Sequence, residues 1–165
     1  LMEKANLKQA MFGAGCFWGV QYNFDQIKGV VETEVGFAGG STGSPKVVPT
    51  YKEVCVGNTG HAEVVHLRYD SEMVTYEELL KVFWENHDPT TMNRQGPDVG
   101  SQYRSVIFYY DSEQKELAEK SKEELNKSGK YKSSVVTEIV SASQFYQAEE
   151  YHQKYFEKTG QRVCH

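Results

Sequence analysis

The chain has 165 residues, enough for one domain with a sizeable core (residues 1–165) and few for two. With 39% hydrophobic and 25% charged residues it is neither disordered nor fibrous, and a net charge of −5 argues against a nucleic-acid partner. No apolar run approaches the ~20 residues of a membrane span. The opening stretch LMEKANLKQ lacks the apolar core of a secretion signal, so a cytoplasmic monomer away from membranes is expected. Three cysteines, Cys16, Cys55 and Cys164, are too few and too odd in number for a secreted disulfide framework. No CxxC pair is present and no histidine stands at zinc-ligand spacing, so no metal is expected.

In chain order, residues 9–14 read as a short strand, followed by a helix over 16–27 with Phe17, Val20, Phe24 and Ile27 at helical spacing. Residues 30–37 are strand-like, and 38–50 form a Gly/Ser/Thr/Pro-rich loop. Strands are expected over 51–56 and 62–69, the second placing Glu63, Val65, Leu67 and Tyr69 on one face. Thr75 opens a helix with Glu78 three residues on, a capping box, and Tyr76, Leu79, Leu80, Phe83 and Trp84 make its apolar stripe. A long irregular loop over 88–102 is of the kind that carries function. A strand over 103–110, a charged surface helix over 111–128, a strand over 134–140 and a helix over 144–158 complete the chain before the tail TGQRVCH. Consecutive strands between residues 30 and 69, with no helix between them, disfavour a doubly wound parallel sheet. The order fits an α+β fold, a two-layer α/β plait with a ferredoxin-like βαββαβ core, a mixed sheet and long active-site loops.

Chemistry concentrates in three places. Cys16, between Gly15 and Gly19 in GCFWG, sits at a strand-to-helix junction, where unpaired N–H groups and the helix dipole favour a thiolate. Its bland alternative is a small buried hydrophobe, as Phe17 and Trp18 could be core aromatics. If Glu63 of GHAE faces the core, desolvation raises its pKa and equips it as an acid; a solvated strand-edge carboxylate is the plainer fate. The polar stretch NRQGPDVGSQYR looks like a shaped site, although loops of this polarity are commonly just solvated. A Cys–His acyl-transfer enzyme, with Cys16 activated by His61 or His152, and a stoichiometric redox sensor or peptide binder are the competing classes.

Taken together, GCFWG, VGFAGG, PTYKEV, TGHAEVV, FWENHDPTT, NRQGPDVGSQYRS and FYQAEEYHQ resemble the type A peptide methionine sulfoxide reductases, in order from Phe12 to Tyr155. The resemblance implies the two-layer plait and thiol-dependent reduction of methionine S-sulfoxide, free or in proteins, without a cofactor. It makes Cys16 the nucleophile, Phe17 and Trp18 the methyl pocket, Glu63 the acid, Tyr51 and Tyr103 the phenols that bind the oxygen, and Asp98 a carboxylate ordering the site. A free cysteine, with a pKa near ~8.5, is only ~3% thiolate at pH 7, and ionised carboxylates nearby would lower that share. Glu63 is therefore more useful protonated. The product on Cys16 is a sulfenic acid. In many members a C-terminal cysteine resolves it to a disulfide that thioredoxin reduces, which points to Cys164; longer members carry two tail cysteines where this chain has one. Cys55 is expected to be buried filler in a strand, and the loop 41–48 looks longer than the family pattern.

Overall fold

Leu7–Ala14 forms β1, in which Ala10, Phe12 and Ala14 point to one side and Met11 to the other, the alternation a strand imposes. The computed structural model describes residues 7–40, 49–56 and 59–161. After β1 come α1 (Phe17–Asp25), β2 (Val30–Ala38), α2 (Tyr51–Val56), β3 (Ala62–Asp70) and α3 (Tyr76–Glu85). A ribbon of β4 (Arg94–Gln95) and β5 (Asp98–Val99) precedes a 3₁₀ turn at Ser101–Tyr103 and β6 (Ser105–Tyr109). Then follow α4 (Ser112–Lys127), β7 (Glu138–Ser141), β8 (Tyr146–Gln147), a 3₁₀ turn at Glu150–His152 and α5 (Tyr155–Thr159).

The main sheet has the order β7-β6-β1-β3-β2-β8, and only its β6–β7 pair is parallel. The chain is thus a mixed α/β protein with a mostly antiparallel sheet. One face packs Phe12, Leu67 and Ile107 against Phe24 of α1, Leu79 and Phe83 of α3 and Ala118 of α4. The Phe12 ring stacks between those of Phe24 and Phe83, each with centroids at 5.2 Å. The other face buries Met11, Val64, Val106 and Phe108 beneath Ala142 and Phe145. A third cluster joins Phe17, Val35, Phe37, Val54, Val65 and Ala148, where α2 and the C-terminal segment meet β2 and β3. Among the described residues no helix is long and apolar enough to cross a membrane.

Thr75 caps α3 as its sequence indicates, its Oγ1 accepting from the Glu78 N–H at 3.1 Å. Residues 51–56, read as a strand, are the helix α2 instead. The cause is a second capping box: Thr50 Oγ1 accepts from the Glu53 N–H at 3.2 Å and Glu53 Oε1 accepts from the Thr50 N–H at 3.0 Å. Cys55 therefore stands on a helix, exposed and with a free thiol, not buried in a strand. The helix expected over 144–158 is broken into β8, a 3₁₀ turn and α5. Ala148 N–H donates to Val35 O at 2.9 Å, the Gln153 amide bonds both Val35 N and O, and Lys154 turns left-handed at φ 58°. These cross-chain bonds replace the i→i−4 ladder. The strand expected from residue 134 starts only at Glu138, because the N–H groups of Val135 and Val136 go to Asn126 Oδ1 and Pro89 O, both at 2.8 Å. The 3₁₀ turn likewise delays β6 from residue 103 to Ser105. The loop 41–48 lies outside the described residues.

Candidate active site

β1 stops at Ala14, opposite Ser105 of β6, and Gly15 turns the chain at φ +93° into α1. A side chain at Gly15 has no room: a Cβ there would lie 2.8 Å from Gln95 Cγ. Cys16 is the N-cap of α1, at φ −54° and ψ 120°, and its side chain makes no capping bond. Its sulfur is thus carried at the end of a helix where backbone N–H groups gather. The first of them, Phe17 N–H, donates to Glu63 Oε1 at 3.2 Å.

Glu63 lies on β3 opposite Phe37 of β2, with only 1% of its surface exposed. Burial raises its pKa, the Phe17 N–H pulls it down and the Asp98 charge raises it again, leaving it pushed up to about 8. At neutral pH the carboxyl is mostly protonated. Its Oε2 has no hydrogen-bond partner among the described residues.

Tyr51 opens α2 and Tyr103 closes the 3₁₀ turn before β6. Both phenols are held well above the usual tyrosine range, first by burial and then by the Glu63 charge, so both keep their protons and can donate. Cys55, one helical turn beyond Tyr51, shares a side-chain hydrogen bond with it; partial burial raises the Cys55 thiol. Asp98 enters from the ribbon, its charge bearing on both Glu63 and Tyr103. Four separate segments, 15–18, 51–55, 63 and 98–103, therefore converge on one place.

Phe17 is buried against Phe37 at 5.7 Å and Tyr51 at 6.1 Å between ring centroids. Trp18 is half-buried and stacks on Tyr155 at 3.9 Å, 12° from parallel. Its Nε1–H donates to His152 Nδ1 at 3.0 Å. His152 and Tyr155 complete this aromatic wall and were not singled out for it from sequence, although the run YHQKYF was the available signal. An imidazole that accepts at Nδ1 is neutral and carries its proton on Nε2. His61 is engaged in the same way, Nδ1 accepting from the Gly40 N–H at 3.0 Å. Neither histidine offers a free basic nitrogen, which removes the support for a Cys–His pair. Cys164 lies outside the described residues.

The family model described as peptide methionine sulfoxide reductase matches residues 8–165. The peptide methionine sulfoxide reductase MsrA of Methanosarcina acetivorans is 58% identical over 154 residues, 93% of this chain and 80% of that protein. Mxr1 from Saccharomyces cerevisiae in its reduced form matches with TM-score 0.90 at 38% identity, covering 98% of this chain and 91% of Mxr1. The structure of Mxr1 in complex with Trx2 matches with TM-score 0.65 at 26% identity, over 93% and 87% of the two chains. A family match over nearly the whole length and a relative more than half identical settle the assignment: this chain belongs to the peptide methionine sulfoxide reductase family.

Proposed function

We propose that the site reduces methionine S-sulfoxide, free or in polypeptides, to methionine, with Cys16 as nucleophile and Glu63 as acid. The observation that carries this reading is the placement of Glu63. One carboxyl oxygen is bonded to the N–H next after Cys16, the other is buried without a partner among the described residues, and the group holds its proton at neutral pH. Such a carboxyl can donate to an oxygen that gains basicity as its bond to sulfur weakens. The Cys16 thiolate attacks the sulfoxide sulfur, forming an S–S bond as the sulfoxide oxygen takes two protons and leaves as water. Water then attacks the Cys16 sulfur, breaking that S–S bond, so the cysteine is left as a sulfenic acid, one proton returns and the substrate leaves as methionine. Tyr51 and Tyr103 supply further donors to the sulfoxide oxygen, and burial keeps Glu63 protonated, with the Asp98 charge adding to it. Phe17 and Trp18 receive the methyl group.

The strand order β6-β1-β3-β2, with α1 and α3 on one face, supports reading the scaffold as a two-layer plait forming one domain. The oxidised enzyme returns through thioredoxin, in keeping with the complex of its relative Mxr1 with Trx2. It acts as a cytoplasmic monomer without a membrane partner, and its net charge of −5 accords with the lack of a nucleic-acid partner.

The test is turnover of each sulfoxide epimer. The S epimer should be consumed and the R epimer left, because exchanging methyl and oxygen would aim the oxygen at Phe17 and Trp18, where an unpaired polar group costs ~1–3 kcal/mol. Chiral chromatography after exhaustive reaction of a racemate reads the outcome; loss of both epimers would sink the pocket assignment.

Cys164 is proposed as the resolving thiol: it attacks the Cys16 sulfenic acid, forming a disulfide and releasing water. One equivalent of sulfoxide should then consume two thiols, and peptide mapping should link Cys16 to Cys164. Cys164→Ser should release its first methionine at full rate, stall with thioredoxin and be rescued by small thiols. Unimpaired thioredoxin turnover, or a mapped Cys16–Cys55 link, would move the resolving role elsewhere.

A further inference from the structure

Asp98 reaches the site on a ribbon with little core of its own. Its strands are two residues each, and Met92 just before them and Val99 within β5 are 66% and 69% exposed. Gln95 ties it down, together with Thr91, whose Oγ1 donates to Arg94 O at 2.6 Å. The Gln95 Oε1 accepts from the Asp88 N–H and its Nε2 donates to Asp88 O, both at 2.8 Å. This two-point clasp closes the loop on the residues just after α3. The clasp rests on a firm base. The Asp88 carboxylate accepts from Thr90 N–H at 2.9 Å and Oγ1 at 2.6 Å, and the neighbouring buried His87 bridges Phe83 O and Ser105 Oγ, each at 2.7 Å.

The stem of the same side chain lies on Gly15, whose Cβ, if it had one, would meet Gln95 Cγ at 2.8 Å and Cβ at 2.9 Å. Gly15 is the residue before Cys16. Within the ribbon, Gln95 is the register partner of Asp98. One side chain therefore braces the backbone leading to the sulfur and pairs with the strand position that holds the carboxylate.

Resting on the sulfoxide-reductase reading above, we propose that Gln95 is a positioning residue of the active site: its clasp on Asp88 holds Asp98 within reach of Glu63, and its stem braces Gly15 and so Cys16. The groups that bear on Glu63 are the Phe17 N–H from α1, Tyr51 and Cys55 from α2, Tyr103 from the 3₁₀ turn and Asp98 from β5. Asp98 is the carboxylate of that set, so letting it drift away should make Glu63 a stronger acid.

Gln95→Met keeps the length of the side chain and deletes both hydrogen bonds. Carboxyl-detected NMR of the whole protein should show Glu63 titrating roughly half to one pH unit lower in Gln95→Met and in Asp98→Asn, with no further fall in the double variant. First-turnover release of methionine should drop roughly 10-fold in Gln95→Met with KM little changed, since geometry and not substrate contact is lost. An unmoved Glu63 titration in Gln95→Met or in Asp98→Asn overturns the proposal, as does a double variant in which the two shifts add. Should Gln95→Met fail to fold, Gln95→Ala serves the same comparison. The titration needs no turnover, so it stands apart from the role of Glu63 as acid, which Glu63→Gln reports separately.

Discussion

Cys16→Ser should abolish sulfoxide reduction. A serine hydroxyl stays protonated at neutral pH and is a poor nucleophile toward sulfur, and no sulfenic intermediate can form on it. Serine is a favoured N-cap, so the start of α1 should be kept in the variant. Folding should therefore survive while chemistry is lost, and a single-turnover assay of methionine release beside a thermal melt separates the two. Residual reduction above a few per cent would assign the nucleophile to another residue.

Glu63→Gln should cost roughly 10²–10⁴ in the rate of methionine release, the range for a lost general acid. The amide keeps the shape and can still accept the Phe17 N–H, so substrate binding followed by Trp18 fluorescence should change far less than the rate. The pH dependence follows from the direction of the shift. Glu63 is pushed up to about 8, so its protonated form persists through neutral pH and is lost as pH rises past that value. Wild-type first-turnover rates should fall on that alkaline side, and the limb should be missing from Glu63→Gln. A variant with wild-type turnover would take Glu63 out of the chemistry.

Where local pattern and packing agree, the fold is readable from the residues. Alternation in β3 puts Glu63 with Val65 and Leu67, and Thr75 with Glu78 marks the start of α3. Thr50 and Glu53 form the same capping box, yet Tyr51, Val54 and Val56 are β-formers, so propensity and cap point in opposite directions and the cap prevails. The C-terminal segment has helical spacing, but its fate is decided by bonds from Gln153 to Val35, more than a hundred residues away. Two-residue strands such as β4 and β5 are too short to show any period. At the site, Cys16 and Glu63 announce themselves through their neighbours. Asp98 and Tyr103 lie in the polar stretch that reads as a shaped site, but the roles of these two and of Tyr51 follow only from the family resemblance, because what unites them is the meeting of α2, the 3₁₀ turn and the ribbon around β3. Trp18's bond to His152 is equally nonlocal, at a separation of 134 residues.

The burial of Glu63 also links this fold to proton concentration. In the unfolded chain a glutamate titrates near ~4.3, whereas folded Glu63 holds its proton up to about 8. Below the lower value both states carry the proton. Between the two, the folded chain binds more protons than the unfolded one, so folding at neutral pH draws close to one proton from solvent. The contribution of this one carboxyl to stability is then full below the lower value and is lost as pH climbs toward 8. The apolar clusters around Phe12 and Phe17 must offset that loss. On the role proposed for Glu63, a rise in ambient pH withdraws the donor from catalysis and weakens the fold through one carboxyl group.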